Sequence, residues 1–164
     1  MSRYLAFLYN AYIVFSFWCV VCLGIWGDAL MTSARADVSE HQSLYERLGG
    51  YNMISDIVDE FLVKMWNDPL VGRYFVGMGT DTREQLRQKN KLLMCKNTGG
   101  PCKIINRNMK VTHSGLGITE SDWNVAVTHL SNVLQSLKVE QQEQQELLHL
   151  IVGLKEYIVE HSEE

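Results

Sequence analysis

The chain has 164 residues, 46% of them hydrophobic and 21% charged, and a formal net charge of −4. That balance suits one compact domain plus an appendage. The acidic sign gives no basis for a nucleic-acid partner, which needs a basic face.

The first 36 residues differ from the rest. Arg3 precedes an uncharged run from Tyr4 to Gly27, and Ala34-Arg35-Ala36 forms a small-x-small site just before Asp37. A basic end, an apolar centre and a small-residue exit make a secretory signal peptide. The 24 uncharged residues would also reach ~36 Å as a helix, enough for an uncleaved membrane anchor through residues 4–27. The expected localisation is therefore export: periplasmic if cleavage follows Ala36, otherwise anchored in the inner membrane. The remaining 128 residues carry 13 Lys+Arg against 18 Asp+Glu and two cysteines, Cys95 and Cys102. In an oxidising compartment these could pair; otherwise they are two free thiols.

Ser43-Leu44-Tyr45-Glu46 has capping-box spacing and opens a helix that Gly49-Gly50 stops. A second helix reaches about Trp66, with Ile54, Ile57, Val58, Phe61, Leu62, Met65 and Trp66 on one stripe. Asn67-Asp68-Pro69 closes it, and Leu70 to Thr80 reads as a tight corner turning Tyr74-Phe75 inward. The third helix opens at Asp81 or Thr82 and runs to about Lys96, with Leu86, Leu93 and Met94 inward. Asn90 falls on that apolar face, where an amide needs a partner.

Asn97-Thr98-Gly99-Gly100-Pro101 cannot continue a helix, and an irregular loop of about a dozen residues follows to Asn108. A short helical turn, Met109 to His113, then ends in a histidine ahead of Gly115-Leu116-Gly117. A neutral imidazole there could ligate a metal or a haem iron, although a lone histidine beside apolar residues is more often an ordinary side chain. Thr119 caps a helix from Glu120 to about Leu137, with Trp123, Val127, Leu130, Val133, Leu134 and Leu137 inward. The last helix spans roughly Val139 to Val159. No segment alternates at period two, so the fold class is all-α.

In this order and spacing, residues 42–160 resemble the group I truncated haemoglobins, small globins built as a two-over-two helical sandwich. The matching residues are Ser43-Leu44-Tyr45-Glu46-Arg47-Leu48-Gly49-Gly50, Tyr74-Phe75, Leu86-x-x-Lys89-Asn90, Gly99-Gly100-Pro101, Met109-Lys110-x-x-His113-x-Gly115-x-Gly117-Ile118 and His129-Leu130. The signal or anchor segment, residues 1–36, lies outside the resemblance. By it, the cofactor is haem b and His113 is the proximal iron ligand. Phe75 packs on the haem face, and Met109 and Ile118 line the same pocket. Lys89 sits at the pocket edge, facing either a propionate or solvent.

On the distal side the resemblance implies Leu86 and Asn90 facing the bound gas, Asn90 reaching it directly or through a water. Many members carry a tyrosine donor after the phenylalanine of the second helix; here Phe61 is followed by Leu62, which has none. The corner between Phe75 and Leu86 is also about three residues longer than usual. His129 reads as structural, and the other histidines show no metal-ligand spacing. The implied function is reversible binding of oxygen and other diatomic gases (nitric oxide, carbon monoxide). The alternatives are a haem enzyme, a nitric oxide dioxygenase or peroxidase with an unidentified electron donor, and a haem-free helical interaction module.

Overall fold

The structure is a computed structural model, described here for residues 42–104 and 108–160. The segment read as a signal peptide or anchor, and His41 and His161, lie outside those residues. The elements are α1 (Leu44–Arg47), α2 (Gly50–Asn67), a 3-10 turn (Val71–Phe75), α3 (Thr80–Asn97), α4 (Met109–His113), α5 (Glu120–Ser136), α6 (Gln141–Val152) and a second 3-10 turn (Lys155–Tyr157). Helix α2 packs on α3 and α5, α5 packs on α6, and α1 closes against α2 and α6. These contacts fit the all-α two-over-two arrangement expected.

The core explains the apolar stripes. Ile54 and Ile57 of α2, Val133 and Leu134 of α5 and Cys95 of α3 are fully buried, with Leu44, Leu48, Leu130 and Leu147 around them. Burying each large aliphatic side chain contributes roughly 1.5–3 kcal/mol, so this cluster holds the four long helices together.

The caps read at Ser43 and Thr119 form. The Ser43 hydroxyl accepts from the Glu46 amide while the Glu46 carboxylate accepts from the Ser43 amide. Thr119 and Asp122 repeat the box at the start of α5. Several boundaries differ from expectation. Helix α3 starts at Thr80, because the Gly79 carbonyl already accepts from Arg83 N at 3.0 Å; neither side-chain cap is used. Helix α5 ends at Ser136, one residue early. The last helix is shorter at both ends. Lys138 has φ 56° and Glu140 is extended, so α6 begins at Gln141. At the other end, Leu154 N bonds Ile151 O, an i to i+3 step that tightens the chain past Gly153 into the 3-10 turn.

Helix α3 is covered less than its apolar stripe implied. Leu86, Leu93 and Met94 are half-buried, whereas the charged Lys91 is buried, its Nζ 2.8 Å from Asp59 Oδ2 on α2. Past α3, Cys95 and Cys102 are joined by a disulfide. The intervening turn docks on α1: Tyr45 N donates to Thr98 O at 2.8 Å. A Cβ on Gly100 would stand 2.6 Å from Tyr45 Cδ2 and 2.7 Å from Cys95 Sγ, so only glycine fits.

Candidate haem site

Helix α4 is short for identifiable reasons. Asn108 caps it, its Oδ1 accepting from Lys110 N at 3.0 Å. Ser114 is extended, and Gly115 (φ 82°) and Gly117 (φ 65°) then take left-handed conformations. Nothing crowds a Cβ at either glycine, so backbone conformation alone favours glycine there. His113 therefore ends a single helical turn, half-buried.

Its ring is oriented. His113 Nδ1 lies 2.8 Å from the Met109 carbonyl oxygen. A carbonyl can only accept, so Nδ1 carries the proton, and in the neutral imidazole Nε2 keeps its lone pair. Metal-ligating histidines are held in this way, one nitrogen bonded to a backbone carbonyl and the other free to ligate. Met109 both supplies that carbonyl and offers a half-buried side chain.

The other residues named from the sequence lie on separate elements. Leu62 is 3% exposed on α2, which packs against α3 carrying Leu86 and Asn90. Phe75 ends the first 3-10 turn, which packs on both α2 and α5. Phe75, Leu86, Asn90, Met109 and Ile118 are all half-buried. Asn90 meets its need for a partner locally: Nδ2 donates to Leu86 O at 2.9 Å. Lys89 is exposed. His129 Nε2 lies 2.7 Å from Asp68 Oδ2, a structural tie between α5 and the end of α2. Two amide bonds, the larger influence from Val71, and the His129 contact hold the Asp68 carboxyl below its usual range.

Sequence reasoning missed a polar cluster beside this site. Asp122 is 2% exposed, and its Oδ2 accepts from Thr119 Oγ1 (2.7 Å), Thr119 N (2.9 Å), Tyr74 Oη (2.8 Å) and Arg73 Nη2 (2.9 Å). Burial opposes its charge most strongly, but the Thr119 bonds, the Tyr74 bond and the Arg73 charge together outweigh it and lower the pKa to about 2. The one legible signal was Thr119-x-x-Asp122, a capping-box spacing; nothing local pointed to Arg73 or Tyr74.

The donor set fits haem. Among the described residues no three His, Cys, Asp or Glu side chains group as metal ligands. One imidazole is too few for a bare ion, which takes three or four protein donors, but it suffices for an iron already held by a porphyrin. The half-buried apolar side chains of Phe75, Leu86, Met109 and Ile118 are the kind of surface a flat apolar ring would cover.

Comparison with known proteins agrees. A family model described as bacterial-like globin matches residues 43–160. A group 1 truncated haemoglobin of Mycolicibacterium paratuberculosis is 28% identical over 121 residues, 74% of this chain and 87% of the relative. A second, from Tetrahymena pyriformis, is 28% identical over 102 residues, 62% of this chain and 82% of the relative. Among solved structures, a Synechococcus 2/2 haemoglobin with covalently attached haem superposes with a TM-score of 0.63 at 28% identity, covering 71% of this chain and 94% of that one. The Fe(III) form of the T. pyriformis protein gives a TM-score of 0.66 at 24% identity, over 73% of this chain and all of that one. The chain thus belongs to the bacterial-like globin family, as a truncated globin, and the prosthetic group that goes with that family is haem, usually haem b.

Proposed function

We propose that this protein holds haem b through His113 and binds oxygen reversibly. The observation that carries the reading is the His113 ring, with Nδ1 committed to Met109 O at 2.8 Å and Nε2 left with its lone pair. Haem, when bound, would supply an iron able to bind a diatomic gas. His113 would hold that iron from the α4 side, Met109 fixing the ring's tautomer. Phe75, Leu86, Met109 and Ile118 would cover the macrocycle and exclude water from it. Lys89, exposed, would face either a propionate or solvent.

Leu62 supports a carrier over an enzyme. It is buried and has no donor to polarise a bound gas, which disfavours the activation that dioxygenase or peroxidase chemistry needs. Nitric oxide and carbon monoxide would enter the same position. The chain's export, periplasmic or membrane-anchored, is proposed on the Ala34-Arg35-Ala36 exit and is supported by the Cys95–Cys102 disulfide, a bond that persists in oxidising compartments.

Haem titration of the apoprotein tests the function. A Soret band saturating at one haem per chain, with a carbon monoxide difference spectrum, is expected. A protein that leaves haem spectrally free would refute the reading and return the haem-free helical module.

A further inference from the structure

Two elements would define the haem pocket's geometry: the turn ending in Phe75 and the turn ending in His113. They are far apart in sequence, and the His113 ring bonds Met109 O within its own short helix, while the His113 carbonyl accepts from Leu116 N at 3.2 Å. What couples the two is the buried Asp122 cluster. Tyr74, the neighbour of Phe75, carries a single phenolic proton between two acceptors, Asp122 Oδ2 at 2.8 Å and Gly117 O at 3.2 Å. Its oxygen accepts from Arg73 Nη2 at 2.9 Å, and the same nitrogen reaches both Asp122 oxygens at 2.9 Å. Thr119, two residues past Gly117, is bound to Asp122 through both its amide and its hydroxyl.

The stretch from Gly117 to Thr119 is therefore anchored to the Tyr74 side by one carboxylate. On its other side the C-terminal segment holds it: Leu116 N donates to Glu160 Oε1 at 3.0 Å, and Glu160 N donates to Ile118 O at 2.9 Å. Between His113 and these anchors lie only Ser114 and Gly115. The left-handed Gly115 would leave that connection loose if nothing tied its far end.

We propose that Tyr74 and Asp122 are positioning residues for the proximal histidine, locking the His113 turn to the Phe75 turn so that the ring meets the iron at a fixed angle. This rests on the reading of His113 as the haem ligand. Each would act through residues 117–119, Tyr74 by its bond to Gly117 O and Asp122 by its bonds to Thr119. Because a carboxylate bond to several donors is stronger than a neutral one, removing the Asp122 charge should loosen the turn more than removing the Tyr74 hydroxyl.

The test compares wild type with Tyr74→Phe and Asp122→Asn, with Arg47→Gln as a control for plain loss of stability. Arg47 pairs with Glu143 and Glu146 between α1 and α6, a tie that involves neither turn. In the apoproteins, hydrogen exchange over residues 109–118 should speed up severalfold in Tyr74→Phe and about tenfold or more in Asp122→Asn, with no change in Arg47→Gln. In the haem-loaded ferrous proteins, the iron–histidine stretching band should shift or broaden in the first two and stay put in the control. Tyr74→Phe removes one hydroxyl only, so it keeps the test open if Asp122→Asn does not fold. A Soret band in every variant with an unmoved iron–histidine band overturns the positioning role, whether or not exchange has quickened. Absence of a Soret band in wild type overturns the haem reading itself, and the proposal with it.

Discussion

Reducing the Cys95–Cys102 bond should destabilise the domain by an amount set by loop length. The cysteines are seven positions apart, so the bond closes a loop of about eight residues. In the chain-entropy model that loop costs the unfolded ensemble about 8 cal/mol/K, or about 2.5 kcal/mol at room temperature. The folded turn keeps its other contacts, Thr98 Oγ1 to Met94 O at 2.8 Å and Gly100 N to Cys95 O at 2.7 Å, so most of the loss comes from the freed unfolded chain. For a domain of this size Tm should fall by about 10 °C. The assay is thermal unfolding by circular dichroism before and after complete reduction, with both thiols counted by alkylation and mass. A fall of less than about 2 °C with both thiols counted would refute the entropic reasoning.

Further predictions follow from single side chains. Asp122 has a folded pKa of about 2 against 3.8 for an ordinary aspartate. Its contribution is fully present above the unfolded value and is lost as pH falls through the folded one; the shift corresponds to roughly 2 kcal/mol. Urea unfolding of wild type should therefore lose about that much more stability than Asp122→Asn between pH 4 and pH 2, and parallel curves would contradict this. Leu62→Tyr places a donor where Leu62 now has none; one added hydrogen bond of about 1 kcal/mol should slow oxygen release about fivefold in stopped-flow traces, and equal rates would count against Leu62 facing the gas. Gly100→Ala brings a methyl to 2.6 Å from the Tyr45 ring and should cost about 2 kcal/mol or more in urea midpoints, with α1 loosened first.

Sequence carried what is encoded locally. The capping box at Ser43 and the cap at Thr119 are short-range signals and both formed, whereas neither Asp81 nor Thr82 caps α3. The glycine stops after His113 follow from left-handed backbone, and the lone histidine became informative once the glycine motifs fixed its place. What stayed hidden depends on partners distant in the chain. Lys91 is buried because Asp59, on another helix, neutralises it, and no helical period foretells that. Thr119 reads as a helix cap, but the bonds of Asp122 to Arg73 and Tyr74 exist only after the 3-10 turn folds onto α5. The Asn90 amide bonds the Leu86 carbonyl one turn back, a contact that the apolar stripe around it does not announce. The end of the last helix was misplaced because Leu154, Tyr157 and Ile158 continue an apolar pattern after the backbone has tightened.

Ligation of the iron by His113 is tested most directly by the absorption spectrum of haem-loaded His113→Gly with and without free imidazole. The prediction is a wild-type ferrous spectrum of a histidine-ligated haem, its loss in the variant, and its return when imidazole fills the space the side chain left. An unchanged spectrum in the variant without imidazole would place the iron ligand elsewhere and contradict the account.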